Sequence, residues 1–216
     1  MHLRTCGREE RSLSAVSGGI CKEAGSDVQN QNMIYMIDEE KICNLPSVLN
    51  ELTTMPRSRW GHVSAFIESK FFVCGGSTEL DGSLAPNNTC DVFCVASQQW
   101  QDMQSMEENR HGAVGVSLLG KVYVMGGHNG IHITKSGEVY DPMKKTWTKM
   151  EDMPVALKDH CAVTFRDSII IIGGILEDGS DTSAMFLFNV TTNKWQDINK
   201  PLKYARSGHG CSINIR

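Results

Sequence analysis

The sequence predicts an all-β fold made of repeated, four-stranded antiparallel sheets, and three observations carry that prediction. First, apolar strand-like runs end in glycine pairs, Gly75-Gly76, Gly126-Gly127 and Gly173-Gly174, spaced 51 and 47 residues apart. Second, a tryptophan follows each pair, Trp100, Trp147 and Trp195, at spacings of 47 and 48. Third, similar segments stand ahead of apolar strand-like stretches: Arg59-Trp60-Gly61-His62, Arg110-His111-Gly112-Ala113 and Arg206-Ser207-Gly208-His209. A fourth copy carries Leu157 in the Arg position and keeps His160. A fixed period near fifty marks a repeat architecture.

In order, residues 1–11 read as a polar lead-in. Ser12 to Gly19 reads as a strand ending in Gly18-Gly19, Lys22 to Gln31 as a polar loop, and Met33 to Ile37 as a strand. Leu49 stands where later repeats have Trp, so the first repeat is degenerate, as terminal repeats often are. The next repeat pairs His62–Ile67 with Lys70–Gly76 across the tight Glu68-Ser69 connection, a hairpin signal. A loop, Ser77 to Asn88, leads to outer strands Thr89–Val95 and Gln99–Met103. Ala113–Leu119, Lys121–Gly127, Gly137–Tyr140 and Thr146–Met150 repeat the pattern, as do Ala162–Phe165, Ile169–Gly174 and the strand of Trp195. Gly208 to Ile215 reads as one more inner strand. A lone four-stranded sheet cannot bury both faces. Sheets packed around an axis bury them and leave only short edges.

A chain of 216 residues with 40% hydrophobic residues can bury a sizeable core as one domain. A net charge of −4 without a basic run gives no sign of nucleic acid or an anionic membrane as partner. No apolar run approaches the roughly twenty residues of a membrane helix. The N-terminus lacks a secretory core, so a cytoplasmic, reducing setting is expected. The eight cysteines are therefore read as free thiols. Cys74 and Cys94 fit apolar strand patterns, and Cys90 and Cys94 lie roughly 13 Å apart along a strand, too far for a bridge.

Together these features resemble the kelch repeat, over essentially the whole chain after about Ser12. The resemblance implies a kelch β-propeller over residues 12–216, with repeats at about 12–55, 62–106, 111–153 and 160–199 and a closing inner strand at 208–215. That count gives four blades, either a closed small ring or part of a larger propeller, since the family usually has more. The glycine pairs and Trp100, Trp147 and Trp195 become the structural anchors, the tryptophans packing near the glycines. Trp60 is out of phase and has no assigned role.

The closest subfamily resemblance is to the kelch-like (BTB–kelch) adaptors, whose propeller rim binds a protein or peptide. Carried over by position, the rim residues are Arg59, Arg110 and Arg206 before the inner strands, and Ser77, His128 and Asn129 after the glycine pairs. Converging arginines would favour an acidic segment through charge-assisted bonds. The other reading is that they brace turns between blades. The implied function is substrate recognition for a cullin-3 ubiquitin ligase, with cullin-3 reached only through BTB and BACK domains absent from this chain. A cytoskeletal, actin-binding protein and a kelch-fold enzyme are the alternatives. No enzyme is expected, and no cofactor or metal. His128 and His132 have a chelating spacing only on a helix. Glu177 and Asp181 match half of the iron-dependent specifier pattern, but Met185 stands where its His belongs. No phosphate-cradling or nucleophile motif is present.

Overall fold

The computed structural model describes residues 55–78 and 84–213 in full, and five earlier strands by their pairing. The lead-in at 1–11, the Gly18-Gly19 pair, and residues 79–83 and 214–216 lie outside the described residues. The earlier strands are β1 (Leu13–Ser17), β2 (Ile20–Cys21), β3 (Gln29–Asn30), β4 (Met33–Asp38) and β5 (Leu49–Thr54). Three complete sheets follow, each a meander in chain order. Sheet I is β6 (Val63–Ile67), β7 (Lys70–Cys74), β8 (Cys90–Cys94) and β9 (Gln99–Met103). Sheet II is β10 (Val114–Leu118), β11 (Lys121–Met125), β12 (Gly137–Asp141) and β13 (Thr146–Lys149). Sheet III is β14 (Cys161–Phe165), β15 (Ser168–Ile172), β16 (Met185–Asn189) and β17 (Lys194–Asp197). Among the described residues no helix is long and apolar enough to cross a membrane.

All the pairing in these sheets is antiparallel. Hairpin chemistry sets the register. Glu68 and Ser69 take φ of 47° and 63°, and Leu119 and Gly120 take 47° and 71°. Two successive left-handed residues twist with the strands they join. Strand residues alternate between faces, and in the second strands of sheets I and II both faces are covered, whereas β15 buries Ile169 and Ile171 and leaves Ile170 and Ile172 half-buried. Phe72 and Cys74 face sheet II, with Val122, Val124 and Tyr140. Phe71 and Val73 pack on the other side with Met55 and Phe93. Tyr123 and Met125 meet Ile169, Ile171 and Phe188 of sheet III. Val122, Val124, Ile169 and Ile171 have no exposed surface, and each contributes about 1.5–3 kcal/mol. The first strands β6, β10 and β14 lie side by side, with β10 in the middle.

The tryptophans take matching places: Phe93 pairs Trp100, Tyr140 pairs Trp147 and Phe188 pairs Trp195. Their ring centroids lie 5.4, 5.2 and 4.9 Å apart. Trp147 Nε1 donates to Gln104 O and Trp195 Nε1 to Glu151 O, at 2.8 and 3.0 Å, tying each outer strand to the sheet before it. The expected contact of Trp with the glycine pairs is corrected. An aromatic on the third strand is the tryptophan's partner; the first glycine of each pair faces the loop that leads into the next sheet, and the second faces the loop that leads into its own.

Three further expectations change. The polar loop at Lys22 to Gln31 contains strand β3, which pairs with β2. The sheet β1-β4-β5 is three-stranded, and residues 208–213 enter no strand ladder, so the closing inner strand is not found among the described residues. Cys161 and Cys211 form a disulfide, which corrects the reading of all cysteines as free thiols. Cys74, Cys90 and Cys94 are free.

Candidate interaction rim

The end of the sheets that carries the glycine pairs is built from loops tied sheet to sheet by two backbone ladders. In the first, Gly112 N donates to Gly61 O, Asp159 N to Gly112 O and Gly208 N to Asp159 O, at 2.9, 2.8 and 2.8 Å. These four residues have φ of 60°, 65°, 51° and 59°. Three are glycine, for which that conformation is free of strain, and the fourth is Asp, which tolerates it better than most. In the second ladder Gly76, Gly127 and Gly174 donate N–H to Arg110 O, Leu157 O and Arg206 O, at 2.7, 2.8 and 2.8 Å. A Cβ on Gly76 would stand 2.8 Å from Trp60 O, and one on Gly127 2.9 Å from His111 O. The second glycine is thus required by close backbone approach.

Next come matched bridges. Ser77 pairs with Trp60 and Pro86, His128 with His111 and Ile133, Ile175 with Lys158 and Asp181. Trp60, out of phase with the other tryptophans, belongs to this tier, and its ring lies edge-on to His111 at 4.3 Å. A carboxylate joins neighbouring loops directly: Ile133 N donates to Glu177 at 2.7 Å.

Arg59 and Arg110 are not on the surface. Each is 1% exposed. Arg59 donates to Gly75 O and Thr89 O at 2.9 Å each, and to Asp91 at 2.7 Å. Arg110 repeats this with Gly126 O at 2.9 Å, Ser136 O at 3.0 Å and Glu138 at 3.1 Å. The expected placing of these two arginines on an open rim is therefore corrected: they brace the loops from inside. Burial pulls the Arg59 pKa down against the attraction of Asp91, and pushes Asp91 up against Arg59 and Arg57. For both partners desolvation outweighs the attraction, as expected for a buried ion pair.

Of the other rim residues, Arg206 is exposed, His128 and Asn129 are half-buried, and Ser77 is fully buried. Ser77 Oγ accepts Ala85 N–H at 3.2 Å. His128 Nδ1 accepts Gly130 N–H at 3.0 Å. Asn129 organises its loop, accepting N–H from Ile131 and His132 and donating to Glu108 at 2.9 Å. Burial works to raise Glu108, but bonds from Ser136 and Asn129 and the charge of Arg110 outweigh it and hold its pKa below the usual range. Sequence reasoning missed Ile131, 87% exposed at the tip of this loop. It also missed Asp91 and Glu138, although each sits at the same strand position after a repeated arginine.

The histidines beside the ladder are packed inward. His111, His160 and His209 lie against Gly61, Gly126 and Gly173 of the sheet before. Burial, with a smaller contribution from His209, pushes the His160 pKa down to about 3.

The profile of the KLHDC2/KLHL20/DRC7 Kelch-repeats domain matches residues 15–174, and that of the Kelch motif matches 156–202. The chain belongs to the kelch-repeat family. Its fold is a kelch-type β-propeller of antiparallel four-stranded sheets. Among curated relatives, spermatocyte protein spe-26 of Caenorhabditis elegans is 27% identical over 154 residues, 70% of this chain and 27% of the relative. Human Kelch-like protein 11 is 26% identical over 191 residues, 85% of this chain and 25% of the relative. Rat Kelch-like protein 36 is 27% identical over 164 residues, 74% of this chain and 27% of the relative. The chain thus spans about a quarter of the length of these relatives. They support a protein-interaction propeller.

The solved structure of YjhT superposes with a TM-score of 0.71 at 19% identity, covering 82% of this chain and 61% of that one, which shows the fold alone. This match corrects the expectation that the chain is not an enzyme. That expectation rested on missing motifs. A kelch fold shared at 19% identity shows that the architecture persists where sequence motifs need not carry over.

Proposed function

We propose that the loop face around Ile131 and Arg206 is a protein-binding surface, and that the chain serves as the substrate-recognition propeller of a cullin-3 ubiquitin ligase adaptor. Cullin-3 would be reached through BTB and BACK domains. One observation carries the reading. The loops are fixed by two ladders of backbone bonds, yet side chains at their tips, Ile131, His132, Asp178 and Arg206, stay exposed. A rigid scaffold presenting free loop side chains lowers the ordering cost of recognition. The Kelch-like relatives support the adaptor reading, and a cytoplasmic location goes with it. Preference for an acidic partner segment rests on Arg206, because Arg59 and Arg110 are already neutralised.

Capture of partners by the purified chain tests this. Ile131→Asp and Arg206→Glu should each lose the partners bound by the wild type while melting at the same temperature. If both variants capture the same set, the surface is misplaced. If the chain pellets with actin filaments, the cytoskeletal reading replaces the adaptor one.

A further inference from the structure

The last described stretch is tethered differently from the rest of the chain. Up to Gly208 it is held by backbone bonds: Arg206 N to Thr182 O at 3.2 Å, Gly174 N to Arg206 O at 2.8 Å, Gly208 N to Asp159 O at 2.8 Å. From His209 to Ile213 no backbone hydrogen bond is made among the described residues. The Cys161–Cys211 disulfide, with Cα atoms 6.2 Å apart, is the covalent tie on this stretch, whose first residue also packs its ring against Gly173. Cys161 opens β14 and is buried, whereas Cys211 is half-buried. Beyond the bridge, Ile213 lines a cavity of about 460 Å³ with Ser64, Gly115 and Ser117 of the neighbouring first strands and Ala162 and Thr164 of β14.

We propose that Cys161–Cys211 is a thiol–disulfide exchange site, a latch that decides whether residues 209–213 stay against the first strands, with Ile213 on the wall of this open cavity. The latch rests on the cytoplasmic location proposed above, where a disulfide bathed by glutathione is more often redox-responsive than a permanent staple. The two sulfurs differ in access, which sets the order of the reaction. A glutathione thiolate attacks Sγ of the more exposed Cys211. The S–S bond breaks, and Cys161 leaves as a thiolate and takes up a proton. A second glutathione thiolate attacks the glutathione sulfur of the mixed disulfide. Cys211 leaves as a thiolate and is protonated, and one glutathione disulfide is released. Two glutathiones are oxidised and one protein disulfide is reduced. Oxidation by glutathione disulfide runs the same steps backwards.

The test titrates the whole chain with defined mixtures of glutathione and its disulfide, with alkylation mapping and hydrogen exchange. The expected result is joint, reversible conversion of Cys161 and Cys211, one glutathione disulfide per chain. On reduction, backbone NMR order parameters in 209–213 should fall to those of a free chain end while the amides of β14 to β17 keep their protection. Trypsin cleavage after exposed Arg206 should release the C-terminal peptide from the reduced form and leave it attached in the oxidised form. Cys211→Ser should behave as the reduced form and Cys94→Ser as the wild type. If Cys211→Ser does not fold, the wild-type titration decides. Two results overturn the latch: both cysteines alkylated in the presence of excess glutathione disulfide, or reduction unfolding β14 to β17 together with the tail, which is the behaviour of a staple.

Discussion

Sheets II and III solve the same packing problem with opposite chemistry. In sheet II, Arg110 reaches into the sheet and meets Glu138 on β12, whose carboxylate also accepts Glu107 N–H at 2.7 Å and Glu108 N–H at 3.3 Å. In sheet III the same three places hold Leu157, Phe186 and Pro154. Leu157 and Phe186 are both buried in one apolar cluster. Proline has no N–H, so the donor that Glu107 presents is gone along with its acceptor. Charge, countercharge and orphan donor change together. The backbone does not change, since Leu157 O accepts Gly127 N–H as Arg110 O accepts Gly76 N–H. The carbonyl is therefore the constant of the loop, and the side chain can be any group whose neighbours satisfy it. A buried ion pair can give way to well-packed apolar groups without loss, but not to half a pair.

The largest expected effect comes from breaking the sheet II set. Arg110→Ala should lower unfolding free energy by about 3–5 kcal/mol, because Glu138 is left buried without its cation. Urea denaturation measures this. A loss of binding with unchanged stability would return Arg110 to the rim. A smaller effect separates the members of the set. Arg110→Leu with Glu138→Phe should remain destabilised, because Glu107 N–H loses its acceptor. Adding Glu107→Pro should recover about 0.5–1.5 kcal/mol, because it removes the part-buried N–H that lost its acceptor. No recovery in the triple variant would mean that the sheets tolerate their sets for some other reason.

The third effect is set by pH. His160 sits next to sheet III with a pKa lowered from 6.5 to about 3. The unfolded chain therefore takes up its proton more readily than the folded one between those values. The His160 contribution is complete above its ordinary pKa and is lost as pH falls through that window. Denaturation midpoints of His160→Gln should accordingly vary less with pH between 6.5 and 3 than those of the wild type. Parallel pH profiles would rule out the assignment.

Much of the fold was legible in the sequence. The glycine pairs, the tryptophans and the hairpin at Glu68-Ser69 each have a local physical reason and recur in phase. The rim was less legible. Arg59 and Arg110 repeat beside loops, which looks the same whether they face a partner or a carboxylate one strand away. A clue was present: Asp91 and Glu138 follow them at the same strand position, and both members vanish together at Leu157 and Phe186. The disulfide was hidden for another reason. Cys161 and Cys211 are 50 residues apart and become neighbours only when the last stretch is laid beside β14.

The sequence alone determined the period, the strand alternation and the places where only glycine fits, because turn chemistry and side-chain periodicity are local. The tertiary structure decided which polar groups face inward, which loops carry free side chains and which cysteines meet. Those depend on what the next sheet places opposite each residue, and desolvation there outweighs any preference the residue has by itself.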